Sequence, residues 1–221
     1  DPITGFVSLF DTSEKTISEH IKFFKRFEEI VFEDGDFKFI VDDYSKFYDK
    51  RNAMNIKSFV ISSRGERIIN KKDGRVWKSE IITPSEELLK LFKEYEINTS
   101  ENILEQITDN KLPLTFYNRL IKIFRSIVQL RNSESGNGAV DYISSPIVKV
   151  DGNDIVPFDS RVEIDKGKNA KLPIDADANG AYHIALKGLM ALETLTSDGK
   201  IKISASNADW FKFVQEKKYL N

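Results

Sequence analysis

Apolar positions recur at helical spacing in some stretches of this chain and alternate in others. Between Thr12 and Ile30, residues Ile17, Ile21, Phe24 and Phe27 fall three or four apart, predicting one amphipathic helix with an N-cap hydroxyl from Thr12 or Ser13. Apolar runs then flank Glu33-Asp34-Gly35-Asp36, a hairpin signal, because Asp-Gly tolerates the positive φ of a tight turn. A second hairpin-rich stretch runs from Ile56 to Ile82, with turns expected at Arg64-Gly65 and Asp73-Gly74. Thr83-Pro84-Ser85-Glu86 combines an N-cap Thr, Pro at the first helical position and Glu three residues after the cap, predicting a capping box and a helix through Tyr95.

Further along, a short helix is expected from Ser100 to Thr108 and a long one from Thr115 to Leu130, striped by Phe116, Leu120, Ile123, Phe124, Ile127 and Leu130. Asn132 to Gly138 lacks any large apolar residue and reads as an exposed, mobile loop. A strand pair is expected around Asp151-Gly152, with Ile147 to Val150 as its first arm. The charged, Gly-containing run Glu163 to Lys171 reads as a linker. Beyond it, a short strand end should lead to a helix whose narrow face of small residues (Ala181, Ile184, Ala185, Gly188, Leu189 and Leu192) approaches a sheet closely, and a closing helix should span Ala208 to Lys217. The pattern is that of a mixed α/β protein of helices and short antiparallel strands.

Composition narrows the chemistry. The chain has 221 residues, no cysteine and two histidines, His20 and His183, so thiolate chemistry is excluded and any metal must be held mainly by oxygen. It contains no membrane-spanning run. It opens on Asp1 without an initiator Met or leader, the expected look of a processed product or a segment of something longer. The net charge of −2 hides segregation: Glu28 to Asp43 carries seven acids against Lys38, whereas Lys111 to Ser133 carries five bases and no acid. Arg64 to Lys78 adds six bases against two acids. On the long helix Arg119, Lys122, Ser126 and Gln129 share one face, either a solvated surface or a track for a phosphate backbone together with Arg125.

The candidate chemistry sits near two ends of helices. Asp175-Ala176-Asp177 precedes a helical run, so an Asp N-cap competes with a role for the pair in holding Mg²⁺, which one or two carboxylates plus substrate phosphates commonly bind. Arg131 closes the basic helix, where it either complements the helix dipole or presents a planar fork to phosphate. His183 reads as a packed or surface helix residue, and Trp77 and Trp210 as core or interface anchors.

Several segments resemble one family in order along the chain. Asp175-Ala176-Asp177-Ala178-Asn179-Gly180-Ala181-Tyr182-His183 is similar to the last RuvC motif of the type V-A CRISPR RNA-guided DNA endonucleases, the Cas-twelve-a family. Asp1-Pro2-Ile3-Thr4-Gly5-Phe6-Val7 resembles its junction into the Nuc domain. Leu130-Arg131-Asn132-Ser133, Asp141-Tyr142-Ile143-Ser144-Ser145-Pro146 and Phe158-Asp159-Ser160-Arg161 resemble the Nuc-domain loop and its continuation, and Asn207-Ala208-Asp209-Trp210 the final helix.

The resemblance implies a Nuc domain over residues 1–172, with 1–11 as the junction, and an RNase-H-like RuvC segment over 173–221. It implies that Asp177 is a Mg²⁺ ligand and the third RuvC carboxylate, with Asp175 only a neighbour. Arg131 corresponds to the arginine needed for target-strand cutting, and Ser133 and Asp141 to polar residues beside it. Guide RNA and target DNA are the implied partners of the intact protein, single-stranded DNA that of this chain, and a bacterial cytoplasm its location. The other RuvC carboxylates belong to segments absent from this chain, so the chain alone is expected not to cleave DNA. A non-catalytic nucleic-acid-binding or scaffolding module is the rival expectation. A third is a self-contained phosphohydrolase built from Asp141, Asp159 and Asp177.

Overall fold

The computed structural model describes residues 1–2, 10, 12–47, 57–109, 111–135, 141–162, 172–195, 198–200 and 213. The first helix, α1 (Ile17–Phe24), is shorter than its periodicity suggested, because Thr16 rather than Thr12 or Ser13 is its N-cap. Thr16 Oγ1 accepts from Glu19 N at 3.3 Å, and Glu19 Oε2 accepts from Thr16 N at 2.9 Å, closing a capping box. His20, Phe23 and Phe24 face inward.

Strands β1 (Glu29–Glu33) and β2 (Asp36–Val41) form the expected hairpin. Asp34 and Gly35 both take positive φ, 54° and 84°, as a tight turn matching strand twist requires. Strand β2 alternates, sending Phe37, Phe39 and Val41 into the core, while β3 (Phe59–Ser62) is buried along its length. With β8 (Ile147–Val150) and β9 (Asn153–Asp154) they make an antiparallel sheet of order β1-β2-β3-β8-β9. The β8–β9 turn falls at Asp151-Gly152 as predicted.

The turn expected at Arg64-Gly65 does not close a hairpin. Strand β3 pairs with β2 and β8, whereas β4 (Arg67–Asp73) pairs only with β5 (Val76–Ile82) as a separate two-stranded ribbon. Helix α2 (Pro84–Glu94) begins where expected, with Pro at its start, but Thr83 makes no side-chain cap bond. Ser85 is drawn inward instead, its hydroxyl bonding Asp36 Oδ1 and Ser63 Oγ, each at 2.7 Å.

Helix α3 (Ile103–Thr108) is capped by Asn102, and Tyr117 Oη donates to Ile107 O at 2.8 Å, tying α3 to α4 (Leu114–Ile127). Helix α4 stops three residues short of Leu130, and Ser126, expected on its exposed face, is buried with its hydroxyl donating to Ile123 O. Phe124 of α4 is central to an aromatic core, its ring 5.2 to 5.5 Å from those of Phe39, Phe27 and Phe23. Each such buried ring contributes about 2–3 kcal/mol.

Strands β6 (Arg131–Ser133) and β7 (Asp141–Ile143) form a second small ribbon, so the expected mobile loop begins instead as a strand. Residues 136–138, the last of that loop, lie outside the described residues, as do 163–171 and all of 208–217 except the buried Phe213. Helix α5 (Ala176–Glu193) forms, with no strand over the described residues 172–175 before it, and buries none of its side chains. Its Ile184, Leu189 and Leu192 are exposed, so the close approach to a sheet expected from its small residues is not made there.

Candidate functional site

Helix α4 delivers the chain to β6, and a buried arginine holds that end. At the base of β4, Arg67 Nε donates to Ser126 O at 3.2 Å and Nη2 to Ile127 O at 3.3 Å. These carbonyls end α4, where intrahelical donors run out and the dipole is negative. Nη1 donates to Glu66 O at 2.9 Å and to Ser144 Oγ at 3.4 Å. Desolvation, with a smaller push from Arg64, pulls the Arg67 guanidinium down to about 10, so it remains charged at neutral pH.

Beyond the helix, Gln129 Nε2 donates to Arg131 O, and β6 pairs with β7 so that Asn132 faces Tyr142 and Ser133 faces Asp141. Alternation then separates neighbours. Asn132 is fully buried and its Oδ1 accepts from Ile68 N at 3.0 Å, pinning β6 to β4. Arg131, Ser133 and Asp141 point the other way.

There the guanidinium of Arg131 meets two oxygens closely, and the residues that carry them bond each other. Nε donates to Ser133 Oγ at 2.6 Å, Nη2 pairs with Asp141 Oδ2 at 3.0 Å, and Ser133 Oγ donates to Asp141 Oδ1 at 3.0 Å. Asp141 is mostly buried, so its contact fixes the fork's orientation. On the outer edge, Nη1 lies 3.9 Å from Asp177 Oδ1, and the side chains of Arg131 and Asp177 are 54% and 91% exposed. That pair contributes at most about 1 kcal/mol, leaving one face of the fork accessible.

Asp177 occupies the first turn of α5, while Asp175 is its N-cap, accepting from Ala178 N at 2.6 Å. His183 lies on the same helix with Nδ1 2.7 Å from Asn179 O. Desolvation pulls its pKa down against that hydrogen bond.

The structure brings together Arg131, Ser133, Asp141 and Asp177, and keeps Asp159 apart. Both carboxylate oxygens of Asp159 bind Arg161, whose Nη1 also meets Glu66 Oε1 at 2.8 Å and whose guanidinium stacks 4.0 Å above the Tyr142 ring. Burial pushes the Asp159 carboxyl up, but the Arg161 bonds outweigh it and hold it below its ordinary range. The self-contained arrangement of Asp141, Asp159 and Asp177 is therefore not formed. Among the described residues no group of three or more His, Asp or Glu is placed to hold a metal ion. With Asp141 engaged by Arg131 and Ser133, these residues do not by themselves fit a complete Mg²⁺ site.

The basic face of α4 is also less free than its spacing implied. Arg119 Nη1 contacts both Glu94 carboxylate oxygens at 2.7 Å, and Arg125 donates from Nε to Thr12 Oγ1 at 2.7 Å and from Nη2 to Thr12 O. Among the described residues Arg119 alone of the three is ion-paired; Arg125 is held by Thr12, and Lys122 has neither kind of partner. It lines a cleft with Ile69, Glu80 and Ile82 on one side of the β4–β5 ribbon. Trp77, expected as an anchor, is 57% exposed near the ribbon's tip, and Trp210 lies outside the described residues.

Arg67 and Asn132, which position this site, carry no signal in the sequence: a basic residue opening a strand and an amide after a helix both ordinarily face water. Residues 1–161 match the family model NUC, described as a nuclease domain. The match covers every element through β9 and ends before α5.

Proposed function

We propose that this chain, which belongs to the NUC nuclease-domain family, serves in a CRISPR-associated RNA-guided DNA endonuclease as the part that directs the target strand to a Mg²⁺-dependent RuvC site. Residues 1–172 act as the Nuc domain and residues 173–221 as the last RuvC segment. Arg131 is the strand-directing group: its fork addresses a backbone phosphate, and Ser133 and Asp141 orient it. Asp177 supplies one carboxylate oxygen toward Mg²⁺, with the remaining ligands from outside the described residues. In this division of labour base pairing with the guide RNA reads sequence, and the protein reads backbone. A cytoplasmic location accords with it, and among the described residues no helix is long and apolar enough to cross a membrane.

The observation that carries the reading is the convergence of Arg131 and Asp177. They are 46 positions apart, come from different elements, and meet at an exposed edge. An exposed Arg–Asp contact contributes little to folding. A phosphate can replace Asp177 on Nη1 while Asp141 keeps the fork in place.

The test uses the intact protein loaded with guide RNA. Arg131→Ala is expected to slow target-strand cleavage by about 100-fold, the scale of losing one positioning contact, without changing guide binding. Arg131→Lys, which keeps charge but not the planar fork, should recover only part of the rate. Wild-type cutting of both strands by Arg131→Ala would overturn the reading.

A further inference from the structure

The β4–β5 ribbon leaves the core after Ile69, and near its tip the large aromatic Trp77 is 57% exposed. Antiparallel register places Trp77 directly opposite Lys72 and Ser79 directly opposite Asn70, so all four lie on one face. That face leads to the Arg131 site: Ser135 N donates to Ser79 Oγ at 2.8 Å, and Asn70 Nδ2 reaches Ser133 O at 3.5 Å. Trp77 thus stands one same-face step, about 7 Å, beyond the residue that meets Ser135.

Charge at the tip is selective. Lys78 pairs with Asp73 at 2.6 Å, and Lys71 pairs with Glu80. Lys72 and Arg75 have no ion-pair partner among the described residues, so two uncompensated cations flank the exposed indole.

We infer that Trp77, with Lys72 and Arg75, forms a base-stacking platform for single-stranded nucleic acid leading into the Arg131 site. An indole face accepts any base, and flanking cations follow the backbone, giving binding that tolerates sequence and weakens with salt. The inference rests on the nucleic-acid reading proposed above and adds to it a contact made by bases.

The experiment measures affinity of the 221-residue chain for an oligothymidylate and for an abasic strand with the same number of phosphates. Trp77→Ala is expected to weaken oligothymidylate binding about tenfold and to leave the abasic strand unchanged, and Trp77→Tyr should stay within about twofold of wild type. Lys72→Glu should weaken both strands. If wild type binds neither strand, the nucleic-acid reading itself fails. If wild type binds and Trp77→Ala binds oligothymidylate equally well, or weakens both strands alike as loss of fold or of a protein contact would, the platform alone is overturned.

Discussion

Arg131 and Asn132 are adjacent in sequence and end in opposite environments. Strand alternation sends one outward to a site and buries the other against β4, and nothing in their side chains announces which goes where. His20 shows the same dependence on context. It is fully buried in α1 with its ring stacked on Tyr117 at 5.7 Å. Desolvation lowers its pKa, outweighing the Asn118 side-chain contact that raises it. The unfolded chain therefore takes up this proton first. His20 contributes stability that is fully present above its unfolded pKa of about 6.5 and is lost as pH falls from there through the depressed folded value. Urea midpoints are expected to drop between pH 7.5 and 5.5, and His20→Phe should flatten that part of the profile, whereas an unaltered slope would exclude His20 as its source.

At the scale of elements, α4 and the two ribbons work as one mounting. The apolar period of α4 forecast the helix to within a few residues because burial of one face is a local pattern. Its end was not forecast, since the group that stops it, Arg67, arrives from β4, 59 positions earlier. Arg67→Met would leave the Ser126 and Ile127 carbonyls without that donor in a buried setting. We expect a loss of about 3 kcal/mol in denaturant unfolding, with fraying that begins at the end of α4. Hydrogen exchange at residues 128–133 should rise before exchange in α1 does, and uniform exchange across both would remove Arg67 from its role as a clasp. Capping followed a similar rule. A Thr-x-x-Glu pattern stands at Thr16 and Glu19, where the reciprocal bonds form, whereas Thr83 lacks its side-chain bond.

For the whole molecule, near-neutral charge conceals an acidic hairpin, a basic ribbon and a basic helix whose arginines are largely spoken for. The core lies between Phe23 and Ile147, with Phe10, Val150 and Ile155 packed against it, and α5 is outside it. Among the described residues Asp177 is the one carboxylate at the site not engaged by Ser133 or a close arginine contact. A single carboxylate does not hold two Mg²⁺ ions against their hydration. The 221-residue chain incubated with single-stranded DNA and Mg²⁺ is therefore expected to leave the strand intact on a denaturing gel. Cleavage that disappears in Asp177→Ala would show that the chain assembles a working site without further ligands.

Local pattern was enough to reveal the mixed α/β character, the hairpins at Asp34-Gly35 and Asp73-Gly74, and the helices among the described residues. Periodicity and turn chemistry are set by neighbours in the chain, so they can be read from it. Tertiary structure alone decided that β3 leaves β4 to pair with β8, that Arg67 and Asn132 turn inward, that Arg119 and Arg125 are occupied, and that Asp177 rather than Asp159 meets Arg131. Those outcomes depend on partners dozens of positions away, whose approach is fixed by how the core packs.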